Sequence, residues 1–385
     1  MNFDRTEEQE LIAAAIARFI ERDYTFDARR RILESPQGCS DHVWRTMAEL
    51  GLLGIALPTA HGGLGGGAVD AMSLMEGIGA ALMLEPWLST VAIGAQLVAR
   101  GGSEAQCADM LPAVVEGRQK LAFADAESDS GHDLHRVVTR ARQDTHGYVV
   151  TGLKRNVAHG AVADRLIVSV RTAGADDDRE GITLLVIARD APGITVHGLR
   201  MLDGTRAADI TFDDVRAPRD AAIGAIDHAL PLIEEVIDFA TALVCAEAVG
   251  TIRSANAATL EHLRTRRQFG VPIGSFQALQ HRMVDMTIEA EQALSMASLA
   301  CSAVDHERDA TVRARIVSAA KGRICDACRR VSQESIQLHG GMGMSDELKV
   351  SHTFRRLTAI AQQFGDADHH LARYAALAPR PLSSE

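Results

Sequence analysis

The segments RLIVSV at residues 165–170 and ITLLVI at residues 182–187 decide the fold class of this chain. Both are short, rich in β-branched and aliphatic residues, and bounded by turn residues, which is typical of buried strands. Similar short runs occur at residues 148–150, 193–196 and 208–212, and glycine-containing turn signals separate them. The sequence therefore predicts a small β-domain in the middle of the chain.

The segment on the N-terminal side of these strands has helical patterning. Thr6 is a candidate N-cap, Gln9 can complete a capping box with it, and apolar residues then recur at helical spacing. The helical pattern continues to about Pro112, with one interruption at residues 58–67. Five glycines within that segment predict a loop, because glycine destabilises a helix interior.

After Pro218 the helical pattern returns and persists to about Ala376. The order of helices, strands and helices argues against a doubly wound α/β architecture, in which the two alternate, and no GxGxxG motif joins a strand to a helix. We therefore predict an α+β, mainly helical chain. Its parts are an N-terminal helical domain at residues 1–117, a middle β-domain at residues 118–222 and a C-terminal helical domain at residues 223–385.

The composition limits the classes of function. The 385 residues, 46% of them hydrophobic, are enough to bury a large core. The formal net charge of -11 argues against binding to nucleic acids, because phosphate binding needs clustered Lys and Arg. The sequence contains no run of about 18 apolar residues, so we predict no membrane-spanning helix. Met1–Glu10 passes directly into charged residues, so we expect no secretory signal and predict a cytoplasmic location.

Cysteine and histidine spacing predicts no metal site. The six cysteines are scattered, so we expect reduced, buried thiols rather than a disulfide framework. Cys325 and Cys328 form a CxxC motif, but the second pair that a zinc site requires is missing. His369 and His370 lie beside Asp368, yet adjacent residues point to different faces of a helix, which favours surface or partner-facing histidines.

Several short motifs follow one another along the chain. They are LLGIALP at residues 52–58, GGLG at 62–65, GLK at 152–154, FDDVRAP at 212–218, RRQFG at 266–270, FQ at 276–277 and QLHGGMG at 337–343. In this order and spacing they resemble the acyl-CoA dehydrogenase family over nearly the whole chain. The resemblance implies a C-terminal four-helix bundle, FAD as cofactor, an acyl-CoA thioester as substrate and electron-transferring flavoprotein as the electron acceptor.

The resemblance also implies an oligomer with shared cofactor sites. In the family, residues of the C-terminal domain reach across a subunit interface to the FAD of a neighbouring chain, which implies a homo- or hetero-tetramer. This role falls here on Arg266, Gln268, Phe269, Gln277, Gln337, His339, Gly340 and Gly341. A fixed cation and glycine backbone that can approach closely suit the FAD diphosphate. The alternatives are a solvated helix charge at Arg266, a packing role for His339 and a helix C-cap at Gly340-Gly341.

The catalytic base of the family is missing from its usual position. The family reaction is an α,β-desaturation, in which a carboxylate removes the α-proton while the β-hydrogen leaves as hydride to the flavin. The usual base position corresponds to Gly365, and an alternative position corresponds to about Ala240-Thr241; neither can take a proton. Asp366 and Glu247 are the candidates for a relocated base. Glu247 could instead be a helix carboxylate that is paired with an arginine.

The middle domain also departs from the family pattern. Asn156-Val157-Ala158-His159 stands where the family has an aromatic residue and a hydroxyl residue at the flavin ring. Asn156 and Ala158 are therefore predicted flavin contacts that lack the usual groups. Ala124-Asp125-Ala126 corresponds to the Thr-Glu-Pro segment that closes over the flavin, so Ala124 is a further predicted contact.

These departures fall on one side of the predicted site. The altered positions would hold the chain's own flavin and substrate, whereas the residues that reach a neighbour's flavin are retained. This pattern favours the smaller partner of a heteromeric acyl-CoA dehydrogenase, a split arrangement that occurs among family members acting on steroid side chains. The alternatives are a self-sufficient homomeric enzyme with a relocated base and a non-enzymatic scaffold of the same fold.

Overall fold

The structure, a computed structural model, describes residues 6–378 apart from the side chain of Glu8. Helices lie at both ends of the chain and strands lie between them, which confirms the predicted α+β, mainly helical class. The chain forms two compact units: one contains residues 6–29, 68–83 and 241–378, and the other contains residues 30–67 and 84–240. The domain boundaries near residues 117 and 222 stay a prediction. The prediction that the chain begins without a secretory signal concerns Met1–Arg5 as well, and these five residues lie outside the described range.

The N-terminal part is helical, as predicted. Its helices are α1 (Glu7–Asp23), α2 (Phe26–Glu34), α3 (Asp41–Glu49), α4 (Ala68–Ala81), α5 (Gln96–Gly101) and α6 (Glu104–Val115), with a π-helical segment at Leu88–Ala95. Gln9 N–H donates to Thr6 Oγ1 at 3.3 Å and Thr6 N–H donates to Gln9 Oε1 at 3.0 Å, which confirms the capping box. Helix α6 runs past Pro112, so the predicted end was too early. Burial of Leu111 and Val114 holds the last turn although the proline lacks an N–H donor.

A single twisted sheet forms the middle of the chain. Its strands are β1 (Leu121–Ala124), β2 (Arg140–Gln143), β3 (Gly147–Ala158), β4 (Arg165–Arg171), β5 (Ile182–Ala188), β6 (Ile194–Arg200), β7 (Arg206–Pro218) and β8 (Ala222–Ile223). The strand order is β6-β7-β3-β2-β4-β5-β8, and β1 pairs with β4 in parallel. The five predicted strand runs lie in β3 to β7, which confirms them. The short β1, β2 and β8 were missed because strands of two to four residues carry little alternation.

The C-terminal part is helical, as predicted, with one interruption. Its helices are α7 (Leu230–Thr265), α8 (Gln277–His306), α9 (Ala310–His339), α10 (Lys349–Gln362) and α11 (Ala367–Ala376). A two-stranded hairpin, β9 (Arg267–Gln268) and β10 (Val271–Pro272), separates α7 from α8. Helices α8, α10 and α11 all pack against α9. The hairpin was not predicted, since its strands are too short to show a period of two.

Several class-level features can be stated for residues 6–378. No helix in that range is long and apolar enough to cross a membrane. The cysteines are buried and free, and burial raises the pKa of the Cys39 thiol to about 11. The same range contains no group of three His, Cys, Asp or Glu side chains that could hold a metal ion.

Candidate functional site

Most of the predicted cofactor residues of the C-terminal part lie at the ends of α7 and α9 and in the hairpin between α7 and α8, and Gln277 is the first residue of α8. His262, in the last turn of α7, stacks on His339, the last residue of α9, with ring centroids 4.4 Å apart and ring planes 25° apart. This contact brings Arg266, which follows α7, and Gly340-Gly341, which follow α9, to the same end of the helical unit. We call the set His262, Arg266, Phe269, Gln337, His339, Gly340 and Gly341 the α7–α9 surface.

The hairpin after α7 holds Phe269 in solvent. Phe269 and Gly270 have φ values of 52° and 82°, so two successive left-handed residues form the turn between β9 and β10. Ile273 N–H donates to Arg266 O at 2.8 Å and anchors the hairpin to the end of the helix. Phe269 is 91% exposed, and its ring lies in a T-shaped arrangement with that of Phe276, with centroids 6.3 Å apart. The exposed ring is therefore available for contact with another molecule.

Four exposed polar side chains near the ends of α7 and α9 have no partners within residues 6–378. The exposed Arg266 guanidinium makes no hydrogen bond or ion pair with any of residues 6–378. The same holds for three exposed amide side chains, those of Gln268, Gln277 and Gln337. A Cβ added at Gly340 or Gly341 would meet no atom within 4 Å, so another molecule can approach there, although the N–H of Gly340, the C-cap of α9, already donates to Gln337 O. A free guanidinium, free amides and open glycine backbone fit the diphosphate of FAD.

Gly365, at the position of the missing base, has a backbone conformation that suits glycine and not residues with a side chain. Gly365 is buried at φ 114°, and an added Cβ would lie 2.5 Å from His369 Cδ2 and 2.9 Å from His370 Nε2. The loop is fixed from the other side by Lys321, whose side chain is fully buried. Lys321 Nζ donates to Gly365 O at 2.8 Å and to Ile360 O at 3.0 Å. The loop is therefore built around a glycine, and a carboxylate cannot occupy the position without rearrangement.

His370 is buried. The prediction that His369 and His370 are surface or partner-facing residues is therefore wrong for His370. Its ring is 2% exposed, and Nε2 donates to Phe364 O at 3.0 Å. Burial, helped by the nearby Lys321 ammonium, lowers its pKa from 6.5 to about 3. His370 is therefore a neutral structural residue that closes the loop carrying Gly365. The sequence pattern placed the two histidines on a helix, but it could not show which face of that helix packs against α9.

The titration of His370 predicts a pH dependence of stability. Between pH 6.5 and about 3 the unfolded chain binds a proton at this residue and the folded chain does not, so stability falls as the pH falls through this range. The slope reaches about 1.4 kcal/mol per pH unit. His370→Gln, which keeps a donor for Phe364 O, should flatten this dependence in urea unfolding at a series of pH values. His146→Gln, in an exposed turn, serves as the control, and equal slopes for both variants would contradict the assignment.

The two candidate bases have structural partners. Glu247 is 3% exposed, and its carboxylate oxygens lie 2.6 Å from Arg356 Nε and 2.8 Å from Arg356 Nη2. This bidentate pair engages both oxygens and matches the alternative of a helix carboxylate paired with an arginine. Asp366 is the N-cap of α11, where its Oδ1 accepts from His369 N–H at 2.8 Å. Neither arrangement leaves a carboxylate poised for proton abstraction, and both assignments as a base stay predictions.

The role of Asp366 as a cap has a measurable consequence. Asp366→Ala should lower the free energy of unfolding by about 1 kcal/mol, because the cap acceptor is lost. Asp366→Asn should change it by much less, since asparagine caps a helix about as well as aspartate. Turnover of the active assembly should be unchanged in both variants. A loss of roughly 10²-fold or more in turnover by Asp366→Asn, at normal stability, would instead identify Asp366 as the base.

The predicted flavin contacts in the middle domain differ in exposure to solvent. Ala124 is fully buried within β1, where it pairs with Val168, so its side chain is covered by the sheet. Asn156 and Ala158 are exposed near the end of β3. Asn156 adopts a φ of 51° beside a register shift, and its N–H donates to Asp209 Oδ1 at 3.0 Å. Ala158 has no hydroxyl to offer a flavin ring, and the three assignments stay predictions.

A buried ion pair next to these residues was missed. Lys154 on β3 is fully buried, and its Nζ lies 2.8 Å from Glu127 Oε1 and 3.0 Å from Asp125 O. Burial opposes ionisation of Glu127, but the Lys154 ammonium and the Thr139 N–H outweigh it and hold the pKa below its ordinary value. The pair fixes the segment after β1 on the sheet. Lys154 is followed by Arg155 and Asn156 in the same strand, so the sequence carried no clear signal that Lys154 is the buried one.

Comparison with known proteins gives a consistent result along the chain. The models of the acyl-CoA dehydrogenase N-terminal, middle and C-terminal domains match residues 6–118, 122–215 and 230–376. Acyl-CoA dehydrogenase FadE12 of Mycobacterium tuberculosis is 29% identical over 370 residues, which cover 94% of this chain and 93% of the relative.

Two solved structures match over almost the full length. A variant of the Tcur3481-Tcur3483 steroid ACAD has a TM-score of 0.85 and 28% identity, covering 96% of this chain and 97% of that one. The ChsE4-ChsE5 complex from Mycobacterium tuberculosis has a TM-score of 0.88 and 26% identity, covering 99% of this chain and 100% of that one. The chain therefore belongs to the acyl-CoA dehydrogenase family, and it is an FAD-dependent oxidoreductase that acts on acyl-CoA.

Proposed function

We propose that this chain is the partner without a base in a heteromeric acyl-CoA dehydrogenase. It supplies the α7–α9 surface to an FAD site whose catalytic carboxylate lies on a related chain. The observation that carries the proposal is the backbone at Gly365, which is buried at φ 114°, a conformation that strains any residue with a side chain, and at which an added Cβ would clash with His369 and His370. A general base contributes roughly 10²- to 10⁴-fold to turnover, so a site built on this loop alone would be a poor dehydrogenase.

The residues of the α7–α9 surface have distinct tasks in this proposal. Arg266 neutralises the FAD diphosphate, and Gly340-Gly341 let backbone groups approach it closely. The free amide of Gln337 supplies a directional hydrogen bond, and Phe269 covers an apolar part of the site with its exposed ring. FAD, when bound, supplies the hydride acceptor for the desaturation.

Relatives support a shared assembly and a bulky substrate. The ChsE4-ChsE5 structure is a complex of two differently named chains, and the Tcur3481-Tcur3483 protein is called a steroid ACAD. We infer by analogy that the assembly is a hetero-tetramer and that its substrate is a CoA thioester of a steroid side chain. The electron acceptor implied by the family is an electron-transferring flavoprotein.

Flavin absorbance tests the proposal directly. The full chain is purified alone and after co-expression with a related chain that has Glu at the position of Gly365. We expect bound FAD and oxidation of a steroid acyl-CoA only in the co-expressed complex. Stoichiometric FAD and acyl-CoA oxidation by the chain alone would contradict the proposal in favour of a self-sufficient enzyme. Absence of flavin in every mixture would favour a scaffold without catalysis.

A further inference from the structure

The stacked pair of His262 and His339 is a feature that the predicted set of cofactor residues does not explain. His262 was not among the predicted contacts, yet its ring lies 4.4 Å from that of His339 and belongs to the same surface as Arg266 and Gly340-Gly341. His339 Nδ1 lies 2.8 Å from Ser335 O, so this nitrogen donates and the ring presents Nε2 to its surroundings. The His262 imidazole makes no hydrogen bond with any of residues 6–378, although the His262 carbonyl accepts from Arg266 N–H at 2.9 Å.

The charges around the pair are mostly positive. Arg264 and Arg266 lie on the end of α7 itself, and Arg267 lies on the hairpin, where its Nη2 donates to Gly270 O at 3.0 Å. None of these cations forms an ion pair within residues 6–378. On the neighbouring helices, Glu334 of α9 is held by Arg282 of α8 at 2.6 Å. Glu261, which precedes His262 on α7, is exposed and forms no ion pair within residues 6–378 either, so three arginines and one free carboxylate flank the pair on α7 and the hairpin that follows it.

The protonation of the pair is linked to its surroundings. Burial, and then His339 and Arg266, lower the pKa of the His262 imidazole. Two stacked rings beside a guanidinium repel a second positive charge, and a bound anion would remove that repulsion. The carbonyl ends of α7 and α9 already favour cations at this place, so an anion would bind to the side chains rather than to the helix ends.

We propose that His262 and His339 form a proton-linked binding pair for a diphosphate diester. One proton is taken up from solvent on binding, and the resulting imidazolium faces the phosphate oxygens together with Arg266. That this diphosphate belongs to FAD rests on the proposed function. The anion-binding step itself depends only on residues of this chain.

Calorimetry with ADP-ribose tests the pair on the full chain. This probe carries a diphosphate diester that has no proton to lose near neutral pH. Titration in buffers of different ionisation enthalpy at about pH 7 should reveal net proton uptake, and affinity should rise as the pH is lowered, by at most about tenfold per pH unit. His262→Gln should bind ADP-ribose more weakly and lose the proton uptake. His281→Gln, which removes an exposed imidazole from α8, should behave as the wild type.

The outcomes separate the inference from the proposed function. Zero proton uptake by the wild type, or no binding of ADP-ribose, overturns the pair whether or not His262→Gln folds. Uptake that persists in a folded His262→Gln variant overturns it as well. If ADP-ribose binds with proton uptake while no co-expressed complex retains FAD, the inference stands and the proposed function fails. In a complex that retains FAD, the pH dependence of FAD release should be lost in His262→Gln.

Discussion

Replacing Arg266 by alanine should remove FAD from the proposed heteromeric complex. The guanidinium is exposed and makes no bond within residues 6–378, so its loss leaves the fold of the chain intact. Charge-assisted hydrogen bonds contribute about 1.5–3 kcal/mol each, and a guanidinium can make two to a phosphate group. We therefore expect the dissociation constant of FAD to rise by about 10²-fold or more, measured by flavin fluorescence after dilution of the complex.

Two further variants make this test specific. Arg266→Lys keeps the charge but loses the planar fork, so we expect an intermediate affinity for FAD. Arg329→Ala removes a comparably exposed arginine from α9, where it pairs with Asp326, and should leave FAD affinity unchanged. If Arg266→Ala retains FAD as the wild type does, Arg266 is a solvated charge and the assignment of the α7–α9 surface fails.

Restoring a carboxylate by Gly365→Glu should damage the fold rather than create a base. Any L-residue at a φ of 114° is strained by about 1–3 kcal/mol. Its Cβ would also collide with His369 and His370, and overpacking of this kind costs about 1–3 kcal/mol more. We expect a loss of about 3 kcal/mol or more in the free energy of unfolding, measured by urea denaturation, and no acyl-CoA oxidation by the chain alone.

Gly198→Glu provides the matched control for this substitution. Gly198 lies on β6, the edge strand of the sheet, and an added Cβ there meets no atom within 4 Å. The same change of residue should therefore cost little stability at that position. A Gly365→Glu chain that is as stable as the wild type would contradict the structural account of the loop, and a gain of turnover would favour a homomeric enzyme.

The sequence predicted the order of helices and strands because burial leaves a period in the chain. The capping box of Thr6 and Gln9 could also be predicted, since both partners lie within one helical turn. The motifs near Arg266 and Gly340 predicted cofactor contacts, which stay predictions, and the structure places both motifs at one end of the helical unit through the contact of His262 with His339.

Interactions between distant residues could not be read from the sequence. Glu247 and Arg356 are 109 residues apart, and only the fold shows that the carboxylate is paired. A glycine at position 365 was evident, but its φ and the histidines packed against it were not, so the loop's resistance to a carboxylate was hidden. The buried pair of Lys154 and Glu127 was hidden as well, because burial depends on which strands the topology brings together.

The ring at the tip of the β9–β10 hairpin has a consequence for thermodynamic measurements. A side chain that is 91% exposed is almost as hydrated in the folded chain as in the unfolded one, so it adds almost nothing to the melting temperature of the isolated polypeptide. Burial of such a ring by another molecule contributes about 1.5–3 kcal/mol. Substitution of Phe269 should therefore change the dissociation constant for that other molecule. It should leave the melting temperature of the single chain almost unchanged, so a stability screen of that chain would not detect its role.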